Sequence, residues 1–450
     1  MSRILSRFLC VLLAAFIATG HRAVAQGAPS YIRDAEIEET LRIFYTPIFR
    51  AAGLDPSNVH VYIINDQTLN SFVAGGQNVF INTGTITRSQ TPNQLIGIVA
   101  HETGHIAGGH LFRTDEALKN ASIEGIIATV VGAAASVLGH NPGGVGAAMM
   151  GGEGVGLRSF FNFSIAQEAT ADQAGMTFLD RTHQSSRGLL EFFQILQQDE
   201  MLAGIKEIPY LRTHPLTSER VTTLREHVEK SPWSDVKDPP EWIELHKRMK
   251  EKLAAFLDPP SETIEKFPES DTSVAARYAR AIAYYRVPEL KKALDLIDGL
   301  IKQEPDNPYF HELKGQMLFE NGRIQDAVAP YKEAVRLKPE IALLRVELAQ
   351  VEIETGDQAM TQDALTQLKA ADKYEDRNPD TWRFLAIAYG RTGDMPMSTL
   401  SLAEQAIAEG DDSMARHQSQ KAMKLLPYGS PGWLRAQDIQ QEAGKDDDHN

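Results

Sequence analysis

The sequence predicts an α+β chain, mainly helical, in two parts: a mixed amino-terminal domain followed by an all-α solenoid. Three observations carry this. Short β-rich runs at residues 59–64 and 78–81 are bounded by Asn, Asp and Gly, which reads as strands. Proline pairs at Pro239-Pro240 and Pro259-Pro260, with Pro268, break the chain between residues 231 and 272. From about residue 274 onward the pattern is helical throughout and repeats with a period of about 34 residues.

Composition narrows the classes. A chain of 450 residues, 42% hydrophobic, has room for two or three packed domains and is too apolar to be disordered. No uninterrupted run of about 18 apolar residues exists, which excludes a multi-span membrane protein. Sixty Asp and Glu against 45 Lys and Arg, a formal net charge of −15, argue against a nucleic-acid partner.

Taken in order, Arg3 and Arg7 precede an apolar stretch over 8–18, then Ala23-Val24-Ala25. This is the layout of a secretory signal peptide over residues 1–25, cut after Ala25, and it predicts an exported, periplasmic protein. The apolar core of about 11 residues is short for a membrane anchor. The single cysteine, Cys10, falls inside this segment, so the mature chain relies on its cores rather than on disulfides. The expected boundaries are 26–258 for the mixed domain, 259–273 for a linker, 274–436 for the solenoid and 437–450 for an acidic, solvated tail. Between the first proline pairs, residues 241–257 form a helical pattern with Trp242, Leu245, Met249, Leu253 and Phe256 on one face, a structured connection.

In the solenoid, a frame starting at Pro308 places Gly315, Leu318, Gly322, Ala327, Tyr331, Ala334 and Pro339 at the positions where a tetratricopeptide repeat alternates small and large residues. Frames from Val274, Pro379 and Pro396 repeat it. Residues 342–378 fit less well, with Thr361 where Ala is expected. About four stacked units follow, offering a surface for a protein or peptide.

The chemistry lies in His101-Glu102-Thr103-Gly104-His105. Residues four apart share a helical face, so both imidazoles can approach one cation, with Glu102 as general base. Pro92 and Asn93 mark the expected helix start. Gly108 stands eighth in the motif but Leu111 stands eleventh, where one class of zinc protease has its third His. In a continuing helix His110 points away from the pair and is a surface or supporting residue. The better third ligand is Glu168 of Glu168-Ala169-Thr170-Ala171-Asp172. Asp172, one turn on, can then hold a liganding imidazole by its distal nitrogen, and the small residues between let the two helices approach. Two His, one Glu and an open position describe catalytic rather than structural Zn2+, one ion per chain. His214, fixed before Pro215, suits either an oxyanion stabiliser or an occupant of the open zinc position.

His101-Glu102-x-x-His105, Glu168-x-x-Ala171-Asp172 and His214-Pro215-x4-Arg220, in that order, resemble the CAAX-prenyl-protease/HtpX/Oma-type zinc metallopeptidases, of gluzincin type. The resemblance implies His101, His105 and Glu168 as zinc ligands and Glu102 as catalytic acid/base. Signal peptide, soluble protease domain and repeats together resemble exported members concerned with outer-membrane quality control. That implies unfolded or misassembled outer-membrane proteins as substrates and the β-barrel assembly machinery as a partner of the repeats. The membrane spans of many relatives are missing here.

Two further segments bear on regulation. The run at 78–82 is either an exposed edge that adds a substrate strand or an internal strand. Residues 126–138, apolar, and 139–156, rich in Gly with Met149 and Met150, read as a lid or a peripheral membrane contact, or as a core helix and loop. The competing reading of the whole chain is a chaperone or adaptor whose zinc site is latched shut by His214.

Overall fold

The computed structural model describes residues 30–110, 165–203, 210–211, 214–375 and 378–444. The signal peptide, the segments 126–138 and 139–156, Leu111, Thr213 and the acidic run Asp446-Asp447-Asp448-His449 lie outside the described residues. Among the described residues no helix is long and apolar enough to cross a membrane. Helices are numbered here over the described residues alone.

The chain enters through β1 (Tyr31–Ile32) and α1 (Ala35–Ala51), with the Asp34 side chain capping α1 by accepting from the Ile37 N–H. Strands β2 (His60–Ile64), β3 (Ser71–Ala74) and β4 (Asn78–Asn82) complete a sheet of order β1-β2-β4-β3. β4 runs parallel to β2 and antiparallel to β3. The run at 78–82 is therefore interior, paired along both sides, and the exposed-edge expectation is overturned. The edges are β1 and β3, which the sequence reading missed because two and four residues are too few to show an alternation.

Helices α2 (Thr83–Arg88), α3 (Pro92–Ala107), α4 (Ile165–Arg181), α5 (Arg187–Ala203), α6 (Ser218–Lys230) and α7 (Pro240–Leu257) pack on and beside the sheet. α3 begins where the sequence placed it: Thr91 accepts from the Gln94 N–H and Pro92 takes the first position, where its missing N–H costs nothing. Such a cap is worth about 1 kcal/mol. Leu95, Ile96, Ile98 and Val99 of α3 are buried with Leu41, Phe44 and Ile48 of α1, Ile63, Val79 and Ile81 of the sheet, and Leu189 and Phe193 of α5. α3 is thus surrounded, which explains why its motif side chains are dry.

Among the described residues the solenoid has five helical hairpins, where about four were expected. They are α9 (Val274–Tyr285) with α10 (Leu290–Gln303), α11 (Pro308–Glu320) with α12 (Ile324–Leu337), and α13 (Ala342–Glu354) with α14 (Gln358–Ala371). α15 (Pro379–Thr392) with α16 (Met395–Ala408) and α17 (Asp412–Leu425) with α18 (Pro431–Glu442) follow, after the short α8 (Pro260–Lys266) inside the expected linker. The frame from Pro396 starts inside α16, so it spans the second helix of one hairpin and the first of the next. The weak stretch 342–378 is a full hairpin, with Thr361 buried in the Ala position. Residues 437–442, expected in the tail, belong to α18.

α7 does more than connect. Met249 and Leu253 join the core of the first domain, while Ala255 packs in the first repeat. Beside it, Ala35 at the start of α1 packs with Tyr309, Leu344 and Leu348 from the first helices of two hairpins. Lys252, 2% exposed, sets its ammonium 2.8 Å from Asp34 and 3.3 Å from Glu36. Tyr278 of α9 donates to Glu36 at 2.9 Å, and Arg33 reaches Glu375 at 2.9 Å. The joint between the two parts is therefore dry and charged.

Candidate metal centre

α3 and α4 lie backbone to backbone. A Cβ on Gly104 would sit 2.6 Å from the Ala171 carbonyl oxygen, and one on Gly175 would sit 3.1 Å from the Ala100 backbone. Glycine at 104 is what lets the helices meet so closely, and Gly175 eases the same contact, as the small residues between Glu168 and Asp172 predicted. Their approach brings His101, His105 and Glu168 together, all buried completely. His105 Nε2 lies 3.1 Å from His101 Nε2 and 3.3 Å from Glu168 Oε1, and His101 Nε2 lies 3.5 Å from Glu168 Oε2. His214 adds a fourth candidate ligand and third nitrogen, its Nδ1 3.1 Å from Glu168 Oε1 and 3.4 Å from His101 Nε2.

These four side chains form a group able to hold a metal ion. Bonds of about 2.0–2.2 Å at tetrahedral angles place ligand atoms roughly 3.3–3.6 Å apart, close to the separations above. The surroundings fit a cation too. Burial opposes ionisation of Glu168, but His214 and the hydrogen bonds from His101, His105 and His214 outweigh it and hold the carboxyl far below its usual range. Burial likewise opposes a proton on His101, yet its hydrogen bonds to Asp172 and Glu168 carry it up to about 10. His105, without such a carboxylate pair, is pushed well down by burial. The pocket thus attracts positive charge while leaving a liganding nitrogen open.

Supporting contacts fix the rings. Asp172 Oδ1 is 2.8 Å from His101 Nδ1, which turns the Nε2 lone pair inward. Arg220 Nε and Nη2 donate to Asp172 at 2.6 and 2.8 Å, and its Nη1 lies 2.8 Å from Glu168 Oε2. The sequence reading placed Arg220 in the resemblance but gave it no role; a lone Arg on an amphipathic helix carries no sign of burial. His110 is corrected in its geometry. α3 stops at Ala107, and Gly109 takes a φ of +63°, which turns the chain back and sets His110 Nδ1 3.0 Å from His105 Nδ1. His110 is a supporting residue because the helix does not continue.

Glu102, also fully buried, points into the same space with 3.7 Å between its Oε1 and His214 Nε2. Neither of its carboxylate oxygens has a hydrogen-bond partner among the described residues. Burial, only partly offset by His214 and His101, raises its pKa. A dry carboxyl left unsatisfied beside a cation site is what a proton shuttle needs.

Comparison with known proteins agrees with this geometry. Residues 33–228 match peptidase family M48, and residues 274–340 match the tetratricopeptide repeat. Residues 33–228 are an M48 peptidase domain. M48 peptidases are metalloproteases, and the zinc-protease resemblance read from the motifs stands with them. A beta-barrel assembly-enhancing protease of Yersinia pestis is 22% identical over 79% of this chain and 71% of its own. One of Escherichia coli strain K12 is 23% identical over 74% and 68%. A Vibrio cholerae relative bearing that designation is 26% identical over 55% of this chain, and the match spans about half, 52%, of the relative's length.

Proposed function

We propose that this M48 chain is an exported zinc metalloendopeptidase that hydrolyses peptide bonds in misassembled outer-membrane proteins. The observation that carries the reading is the unsatisfied Glu102 carboxyl beside the His101, His105, Glu168 group. His101, His105 and Glu168 would hold the ion, and Zn2+ would supply Lewis acidity toward the attacking water and the scissile carbonyl. Glu102 accepts the proton of the attacking water and delivers it to the leaving amine nitrogen, its raised pKa placing it nearer the pH at which it works. Asp172, held by Arg220, keeps His101 in the tautomer whose Nε2 faces inward. The names of the relatives, together with the repeats, support docking on the β-barrel assembly machinery.

Glu102→Gln is the deciding variant. Purified protein retains one zinc by elemental analysis and loses cleavage of an unfolded outer-membrane protein by about a hundredfold or more; retained cleavage defeats the reading.

A second reading, a chaperone-like adaptor with a site usually shut, is favoured by the seating of His214 Nδ1 against Glu168 and His101. In that role His214 is the fourth ligand rather than an oxyanion stabiliser. The two readings describe one protein in its closed and open conditions.

A further inference from the structure

His214 is held by one aromatic side chain that no motif contains. Tyr210, 1% exposed, lies four residues earlier, and its carbonyl accepts from the His214 N–H at 2.8 Å. The Tyr210 ring stacks on the His214 imidazole, centroids 4.6 Å apart and planes 25° from parallel. On its other contacts it meets Phe192 of α5 edge to face at 5.4 Å, and it belongs to the core of the domain. Among the described residues the rings of His101 and His105 also lie 5.2 Å from His214.

We propose that Tyr210 is a positioning residue that clamps His214 into the metal group, so that tyrosine and histidine stay or leave as one unit. Stacking sets the plane of the imidazole and the main-chain hydrogen bond between the two residues sets its depth. Withdrawal of His214 therefore requires extraction of a buried aromatic ring from the core. This couples the fourth position of the site to the packing of α5, some distance from any ligand. The inference rests on the reading of this group as a metal site.

The test uses the full chain loaded with Co2+, whose visible spectrum reports the ligand set, and zinc affinity by chelator competition. Tyr210→Phe keeps the flat face and leaves the spectrum unchanged. Tyr210→Ala shifts the spectrum to that of His214→Ala and weakens zinc by roughly ten- to a hundredfold, the usual effect of a lost supporting contact. The double variant adds nothing further. Tyr210→Leu keeps apolar bulk without a stacking face, so it gives the same spectrum as Tyr210→Ala if positioning is the cause, even where the alanine variant folds poorly. A wild-type spectrum in Tyr210→Leu, alongside a shifted one in His214→Ala, overturns the inference and leaves the metal site standing. A wild-type chain that binds no stoichiometric Co2+ overturns the metal reading, and this inference with it.

Discussion

The metal group and the joint around Lys252 both bury carboxylates, and they neutralise them in opposite ways. At the joint, Lys252 lies against Asp34 and Glu36, and Tyr278 donates to Glu36. Surplus acid there is handled by protons: burial, only partly offset by Lys252, pushes Glu312 up to about 8, and Glu347 is raised as well. At the metal group, Glu168 stays ionised among imidazoles and Arg220, while the Glu102 oxygens have no hydrogen-bond partner among the described residues. The joint answers its carboxylates with Lys252, Tyr278 and protons, and Glu36 Oε1, Glu312 Oε2 and Glu347 Oε2 have no hydrogen-bond partner among the described residues. The metal group is built to be completed by something else, and that difference separates a structural ionic cluster from a functional one.

The comparison breaks most visibly at Arg220. Arg220→Ala leaves Asp172 and Glu168 without their buried guanidinium, a loss of about 3–5 kcal/mol by the usual cost of one removed partner. Urea unfolding should show it, and added zinc should recover part of it, since an ion can stand in for the lost charge. Lys252→Met removes the cation at the joint at a cost of about 3 kcal/mol, because Asp34 keeps some solvent access. Zinc should stabilise Lys252→Met only as much as it stabilises the unaltered chain, and zinc affinity should not change; a larger zinc-dependent gain would mean the two regions are not separate.

A third effect is in pH dependence. Folded Glu312 keeps its proton up to about 8, whereas the unfolded chain releases it near the ordinary carboxylate value. Between those points the unfolded state binds fewer protons, so stability falls as pH rises. Glu312→Gln should flatten that decline between roughly pH 4.5 and 8 in thermal melts. An unchanged slope would show that Glu312 is already ionised in the joint.

What the sequence disclosed follows from where each residue's information resides. His101 with His105, and Glu168 with Asp172, are visible because helix periodicity puts each pair on one face, Glu102 because it belongs to the motif, and Pro92 marks where that helix begins. Tyr210, Arg220 and His110 act through turns and tertiary contacts, which local spacing does not encode. The place of 78–82 in the sheet was open for the same reason, since strand order depends on partners far along the chain. Lys252 looks in sequence like one more charge on an amphipathic helix; it is the packing of α1 and α9 that makes it a core residue. The fifth hairpin was hidden because repeat frames shifted by one helix fit the same small-residue pattern.

The contact between Gly104 and Ala171 has a last consequence. Because main chain meets main chain there, the ligand spacing is set by peptide geometry rather than by interlocking side chains. Rotamer changes elsewhere in the core leave that spacing alone. The chemistry of this centre can therefore survive wide divergence of the surrounding sequence, provided these few smallest residues persist.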